Sequence, residues 1–231
     1  MKTIGLIGGM SWESSLHYYR LINQRVRQKL GGQHSARLLM HSVDFAPIEE
    51  MQHVGDWDGT ADVLIDAAKR LESGGADFFL IATNTMHQVA DQVKKSVNIP
   101  LLHIADATGS ALCRQNVQRV GLLGTAFTME MPFYREHIER LGIEVVVPEL
   151  HDRQIVHDII YQELCQGVID DDSREVYVSI INRLQDQGIE NIILGCTEIS
   201  MLIGEKDTPT TLFDTTAIHA EAAVELSLAP G

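Results

Sequence analysis

The residues best suited to chemistry in this sequence lie in two segments that repeat one another. The segment "RLESGGADFFLIATNT" (70–85) returns as "RLQDQGIENIILGCTE" (183–198), and the alignment places Thr83 opposite Cys196. A thiol can take or give a proton near neutral pH, because its pKa of about 8.5 is easily tuned. A threonine hydroxyl is a much weaker base, which gives a proton to a carbanion more easily than it takes one. The pair therefore predicts acid–base chemistry with unequal partners.

Small polar side chains follow both candidate acid–base residues, Thr83 and Cys196. Asn84 and Thr85 come directly after Thr83, and Thr197 follows Cys196, each where a helix is predicted to begin. A helix start offers unpaired N–H groups and the positive end of the helix dipole, which bind a carboxylate and lower the pKa of a thiol. We therefore expect each segment to form a carboxylate-binding turn beside one proton carrier.

The elements that must position these turns are predicted from hydropathy. Short apolar runs alternate with amphipathic stretches, which is typical of βα units and a parallel sheet in an α/β fold. In such sheets ligands bind beyond the carboxyl ends of the strands, where Thr83 and Cys196 are found. The predicted strands cover residues 2–8, 36–43, 77–83, 100–105, 119–125, 143–148, 191–196 and 211–214.

A second repeat indicates an internal duplication. "IGLIGG" (4–9) matches "VGLLGT" (120–125) at nearly the same offset as the first repeat. We predict two similar lobes related by a pseudo-twofold axis, each a mainly parallel sheet flanked by helices, with the active site in the cleft between them. The predicted N-terminal lobe comprises residues 1–100 plus 209–231, and the C-terminal lobe residues 101–208. The strand at 211–214 and the helix after it are expected to complete the first lobe.

Composition excludes several classes of partner. The chain has 231 residues and a net charge of −14, so its surface repels polyphosphates and anionic membranes. No apolar run approaches the roughly 20 residues that span a bilayer. The three cysteines, Cys113, Cys165 and Cys196, are odd in number and lack C-x-x-C spacing, which argues against a disulfide framework or a metal site. We predict a cytoplasmic protein with no nucleic-acid, membrane or metal partner.

Three motifs occur in a fixed order: "IGLIGGMSWESS" at the N-terminus, "NTMH" after the third strand and "GCTEIS" late in the chain. Together they resemble the cofactor-independent aspartate/glutamate racemase family over nearly the whole length. The resemblance implies an isomerase, a homodimer, that removes and returns the α-proton of a free amino acid with two cysteines. It implies no pyridoxal phosphate or other cofactor, and it makes Cys196 one of the acid/base groups.

The resemblance also implies which residues bind the substrate. Donors to the α-carboxylate would be Asn84, Thr85 and Thr197, and the residues lining the cleft would be Met10 and Thr125.

This chain departs from the family pattern at an important place. Family members usually read "CNT" where it reads "TNT", so Thr83 replaces the second catalytic cysteine. Cys196 should then take a proton well from one enantiomer, whereas Thr83 should take one poorly from the other. We therefore predict kinetics that differ between the two enantiomers.

The sequence bears on substrate choice through two cations that it lacks. Aspartate-selective relatives tend to place an Arg after the second strand and a Lys in a helix of the second lobe, which grip the side-chain carboxylate. Here the loop reads "DFAPIEEMQHVGD" and the helix "YQELCQG", with Cys165 at the place of the Lys. Either neutral donors such as Gln52 hold an acidic side chain, or the pocket accepts neutral ones. The loss of both cations favours broad specificity over aspartate or glutamate alone.

The predicted cleft contains one cysteine instead of two, and two alternative functions are compatible with this. A decarboxylase of the same superfamily protonates a carbanion with one thiol, although the donors in "TNT" and "CTE" favour keeping the carboxylate. A catalytically silent amino-acid-binding protein is also compatible with the lost cysteine. A nucleotide oxidoreductase ranks last, because "GLIGGMS" lacks the G-x-G-x-x-G spacing.

Several neighbouring residues have a structural interpretation as well as a functional one. His87, one helical turn after Thr83, could tune the site or simply pack, and packing is favoured. Glu198 could orient a donor, bind an ammonium group or make a structural hydrogen bond. Cys113 and Cys165 are expected to be packing residues, which is the usual place of a free cysteine.

Overall fold

The computed structural model describes residues 1–230, and the chain divides into two compact units. The first unit comprises Met1–Ile104 together with the segment from His219 onward. The second unit comprises Ala105–Ile218.

The first unit is built on a three-stranded parallel sheet of order β2-β1-β3, in which Ile4 of β1 lies opposite Leu38 of β2 and Phe78 of β3. Its elements in chain order are β1 (Ile4–Gly8), α1 (Trp12–Leu30), β2 (Leu38–Ser42), α2 (Phe45–Val54), α3 (Trp57–Ser73), β3 (Phe78–Ile81), a 3₁₀ segment (Thr85–Val89) and α4 (Ala90–Lys95).

Both faces of β1 and β3 are buried under helices, whereas the edge strand β2 is partly exposed. Successive side chains of a strand point to opposite faces, so neighbouring residues of β1 enter different cores. Ile7 packs in one buried cluster with Leu64 of α3, and Leu6 packs in another with Ile22 of α1. This double burial explains why β1 and β3 read as nearly continuous apolar runs.

The second unit has a four-stranded parallel sheet of order β5-β4-β6-β7. Its elements are α5 (Ile104–Arg114), β4 (Arg119–Gly124), α6 (Ala126–Glu130), α7 (Pro132–Glu139), β5 (Glu144–Val146), α8 (Leu150–Gln162), a 3₁₀ segment (Leu164–Gln166), α9 (Asp171–Gln185), β6 (Asn191–Gly195), α10 (Ile199–Leu202), β7 (Thr211–Asp214) and α11 (Thr215–Leu228), the last continuing into the first unit. The predicted α/β class, with parallel sheets flanked by helices, is confirmed.

The assignment of residues 211–214 to the first lobe was wrong. β7 pairs with β6, Phe213 lying opposite Ile193, so this strand belongs to the sheet of the second unit. The pairing covers what would otherwise be an open edge of β6, and it buries Phe213. The chain joins the first unit only from His219 onward.

The predicted strand at 100–105 is reduced to an isolated bridge between Leu101 and Phe79. Pro100 offers its carbonyl oxygen to the N–H of Phe79, and the N–H of Leu102 donates to the Phe79 carbonyl. Since Pro100 has no N–H and α5 already begins at Ile104, the pairing stops after one bridge.

The last helix is anchored in the first unit by a buried histidine. His219 Nε2–H donates to the Leu102 carbonyl oxygen (2.8 Å), and the hydroxyl of Tyr18 in α1 lies 2.9 Å from His219 Nδ1. A carbonyl oxygen can only accept, so the proton is on Nε2 and Tyr18 donates to Nδ1. Burial lowers the pKa of His219 to about 3.

We expect acid to lower the free energy of unfolding of the protein through protonation of His219. In the unfolded chain His219 binds a proton below its ordinary pKa of about 6.5, whereas in the folded chain it binds one only below about 3. The free energy of unfolding therefore falls as the pH drops from about 6.5 to about 3. His219→Gln keeps a donor for the Leu102 carbonyl but does not titrate. Urea unfolding at several pH values should therefore give a shallower slope for this variant, and an unchanged slope would contradict the assignment.

Over residues 1–230, no helix is both long enough and apolar enough to cross a membrane.

Candidate active site

In the first unit, the carboxyl ends of β1 and β3 lie side by side, with Ile7 opposite Ile81. The turn after β1 requires glycine, because Gly9 has a φ of +96° and an added Cβ would collide with the Val43 carbonyl oxygen. Ser15 of α1 stabilises this turn by accepting a hydrogen bond from the Gly9 N–H (2.7 Å). The next residue, Met10, is buried.

The turn after β3 holds the other predicted residues of this unit. Thr83 is partly exposed, whereas Asn84 and Thr85 are buried, and the backbone continues as a 3₁₀ segment from Thr85. Gln52 of α2 is also buried, and its Nε2 lies 2.9 Å from the sulfur of Met86 in that segment. The structure therefore places Gln52 against the 3₁₀ segment that follows Thr83.

In the second unit, Thr125 and Cys196 follow adjacent strands. Gly124 at the end of β4 lies opposite Gly195 at the end of β6, and the strands approach so closely there that a Cβ on Gly195 would lie 2.9 Å from the Leu123 carbonyl oxygen. Glycine is needed for this approach, which brings the two turns together. Thr125 is buried and caps α6, its Oγ1 accepting from the N–H of Thr128 (3.2 Å).

Cys196 is hydrogen-bonded to the carboxylate of Glu198, two residues later in the chain. Its thiol donates to Glu198 Oε2 (3.0 Å), and the hydroxyl of Thr197 donates to the same oxygen (2.6 Å). All three residues are buried, Cys196 being 8 % exposed. The two donors on one oxygen make Glu198 the central acceptor of the turn.

The expectation that a helix start lowers the pKa of Cys196 was wrong. Burial raises the pKa of this thiol well above its ordinary value, and the charge of Glu198 and the neighbouring Cys165 raise it further. The helix that follows, α10, has only four residues and begins at Ile199, so its dipole is small beside these effects. Cys196 is therefore a protonated thiol in the resting protein.

This arrangement gives the thiol a route for its proton. Glu198 Oε2 already accepts the S–H hydrogen bond, so transfer along that bond would produce a thiolate without involving solvent. The reverse transfer restores the thiol. A protonated thiol is also ready to act as an acid towards a carbanion.

We expect Glu198→Gln to lower the pKa of Cys196, because the substitution removes a negative charge and keeps a side chain of the same size. Only the thiolate reacts rapidly with iodoacetamide, so alkylation of Cys196 should begin at lower pH in this variant than in the wild type. Mass spectrometry of the Cys196 peptide measures this directly. The exposed Cys113 in the same sample is the internal control. If the pH dependence of Cys196 alkylation is the same in the variant and the wild type, the role of Glu198 is contradicted.

Sequence reasoning missed the proximity of Cys165 to this group. It lies in the 3₁₀ segment at Leu164–Gln166 and contributes to the raised pKa of Cys196. The sequence signal was its place in "YQELCQG", where the resemblance led us to expect a Lys. The order of residues points to Glu198 as an acceptor, but it does not distinguish an acceptor for the thiol from an acceptor for a substrate ammonium group.

The strands of both units lead into polar turns, and the turn after β6 carries a thiol that is hydrogen-bonded to a carboxylate. A family model described as Asp/Glu/Hydantoin racemase matches residues 7–223. The chain belongs to this family of amino-acid racemases, which confirms the resemblance drawn from its motifs.

Known proteins agree with this membership. A crystal structure from Yersinia pestis, described as a candidate Asp/Glu racemase, is 50% identical and covers 99% of this chain and 100% of its own, with a TM-score of 0.91. An aspartate racemase homologue from Pyrococcus horikoshii is 37% identical over 99% of this chain and 100% of its own, with a TM-score of 0.85. The broad specificity amino-acid racemase RacX of Bacillus subtilis is 25% identical over 75% of each chain.

Proposed function

We propose that this protein is a cofactor-independent amino-acid racemase in which Cys196 takes and returns the α-proton of a free amino acid. The observation that carries the proposal is the hydrogen bond from the Cys196 thiol to Glu198, directly after β6, in a chain of the racemase family. The other predicted site residues keep their roles as part of the same proposal.

The first step is proton removal. The S–H proton passes from Cys196 to Glu198, and the thiolate then takes the α-proton, so that the electron pair of the C–H bond remains on the substrate and spreads into its carboxylate. Donors at the turns stabilise that charge as it develops, a role that we assign to Asn84, Thr85 and Thr197. In the resting protein the Thr197 hydroxyl donates to Glu198, so its donation to substrate requires a change of partner.

The second step is proton return. If Cys196 gives the proton back, the amino acid is unchanged except for exchange with solvent. Inversion needs another donor, and we assign that role to Thr83, whose hydroxyl proton passes to the carbanion. The alkoxide left on Thr83 then takes a proton from water, which can reach this partly exposed residue. The hydroxide formed in this way is neutralised by the proton held on Glu198, which restores the carboxylate. Exchange with retention therefore uses Cys196 alone, whereas racemisation uses both residues.

We further propose broad side-chain specificity. Gln52 is a neutral amide whose Nε2 points to the sulfur of Met86, and Cys165 stands where a Lys would hold an acidic side chain. Met10 and Thr125 complete the proposed substrate contacts from the turns after β1 and β4. The name of RacX, a broad specificity racemase, supports this assignment.

The function is tested by incubating D- and L-amino acids in deuterated water and following the loss of the α-proton by NMR. We expect exchange with several side chains, faster from one enantiomer than from the other, and slow racemisation. Equal initial exchange rates for both enantiomers would contradict the role of Thr83. Carbon dioxide release from a disubstituted malonate would favour the decarboxylase alternative, and binding without exchange would favour an amino-acid-binding protein.

A further inference from the structure

His87 is held by hydrogen bonds at both of its ring nitrogens. Its Nδ1 lies 2.8 Å from the Thr83 carbonyl oxygen, and its Nε2 lies 3.2 Å from the backbone nitrogen of Ile104. The carbonyl can only accept and the Ile104 N–H can only donate, so Nδ1 carries the proton and Nε2 is the acceptor. The ring therefore connects the turn after β3 to the first residue of α5, within the first unit.

The surroundings of His87 keep it in this one form. The ring is buried and makes an edge contact with His103, whose ring centre is 4.4 Å away, and the ring of His219 lies 6.2 Å away. Burial lowers the pKa of His87 well below its ordinary value, and the two neighbouring histidines add to the effect. His87 is thus a neutral imidazole with a fixed tautomer, which suits it to hold a backbone group in place rather than to carry a proton.

We propose that His87 is a positioning residue, which orients the Thr83 side chain for proton return by holding the Thr83 carbonyl oxygen. This inference rests on the proposed function. β3 ends at Ile81 and the 3₁₀ segment begins at Thr85, so Thr83 lies in the short irregular stretch between two regular elements. The hydrogen bond from Nδ1–H fixes the peptide plane after Thr83 and thereby the direction of its Cα–Cβ bond. Proton transfer depends steeply on such placement, since a shift of about 1 Å can cost roughly a hundredfold in rate.

Two substitutions separate the two hydrogen bonds of the ring. His87→Asn places an amide N–H near the position of Nδ1 and keeps the contact with Thr83, but loses the acceptor for Ile104. His87→Gln places an amide oxygen near the position of Nε2 and keeps the contact with Ile104, but loses the donor to Thr83. Each variant gives up one hydrogen bond, so thermal unfolding should show similar losses of stability. A purely structural role predicts similar losses of activity as well.

We expect His87→Gln to lower kcat for racemisation by about ten- to a hundredfold with KM changed by less than about twofold. The exchange that uses Cys196 alone should stay within about twofold of wild type in the same variant. His87→Asn should racemise within about threefold of wild type. Equal racemisation by the two variants, or a loss of exchange that parallels the loss of racemisation, would overturn the inference.

A second measurement does not depend on catalysis. NMR relaxation of the Thr83 methyl group, assigned with Thr83→Ser, should show an ordered side chain in the wild type and in His87→Asn and a more mobile one in His87→Gln. The same mobility in all three proteins would overturn the positioning role. A wild type that exchanges no α-proton would instead overturn the proposed function, and the methyl measurement would still decide whether His87 orients Thr83.

Discussion

Cys196→Ser is expected to abolish both α-proton exchange and racemisation, each by about a thousandfold or more. A hydroxyl at this position keeps a donor to Glu198 Oε2, so the hydrogen bond of the resting turn is retained. What is lost is acidity, because a serine hydroxyl cannot give up its proton to a carboxylate at neutral pH as a thiol can. Proton transfer by a positioned side chain contributes roughly 10² to 10⁴ in rate, and in the proposed mechanism both exchange and racemisation of the faster enantiomer begin with proton transfer to Cys196.

The measurement is NMR of the α-proton in deuterated water, run beside polarimetry on the same samples. Cys113→Ser is the matched control, because Cys113 is exposed on α5 and has no part in the proposed chemistry. It should behave as wild type. Exchange that survives in Cys196→Ser at more than about a tenth of the wild-type rate would remove Cys196 from the mechanism, provided that the far-ultraviolet circular dichroism of the two variants is the same.

Thr83→Cys is expected to raise exchange from the slower enantiomer by about tenfold or more, and with it the rate of racemisation. A thiol can take the α-proton that a threonine hydroxyl takes poorly, so the two halves of the reaction become more alike. The equilibrium constant between the enantiomers stays the same, because a catalyst does not change it. The gain should therefore be seen in the ratio of the two initial exchange rates, which should approach one.

Thr83→Val is the matched control for this gain, since valine has the shape of threonine without the hydroxyl. It should exchange the faster enantiomer at the wild-type rate, because that reaction uses Cys196 alone, and it should not racemise. If Thr83→Cys gains nothing while its fold is intact, Thr83 is a structural residue of the turn after β3 rather than a proton donor.

The strands and the turns that follow them could be predicted from sequence because they depend on local patterns. The apolar run before Cys196 ends where β6 ends, and the glycines before Thr125 and after Gly8 mark turns that the structure requires. The duplication then indicated which turns correspond. These features follow from strand periodicity and from glycine geometry, which need no knowledge of distant contacts.

The remaining features depend on tertiary contacts. The pKa of Cys196 is raised because burial and Glu198 act on it together, and neither the extent of burial nor the direction of a carboxylate can be read from "GCTE". The helix predicted directly after Cys196 starts later and is short, so the expected dipole effect is small. β7 joined the second sheet for a similar reason, because strand pairing is decided by which edge is open.

The hydrogen bond between Cys196 and Glu198 has a consequence for the durability of the protein. Peroxides attack the thiolate far more readily than the thiol, and the first product, a sulfenic acid, leads on to irreversible forms. A protonated and largely enclosed sulfur is less open to this damage. In the proposed mechanism, the carboxylate that receives the proton during turnover would also protect the sulfur between turnovers.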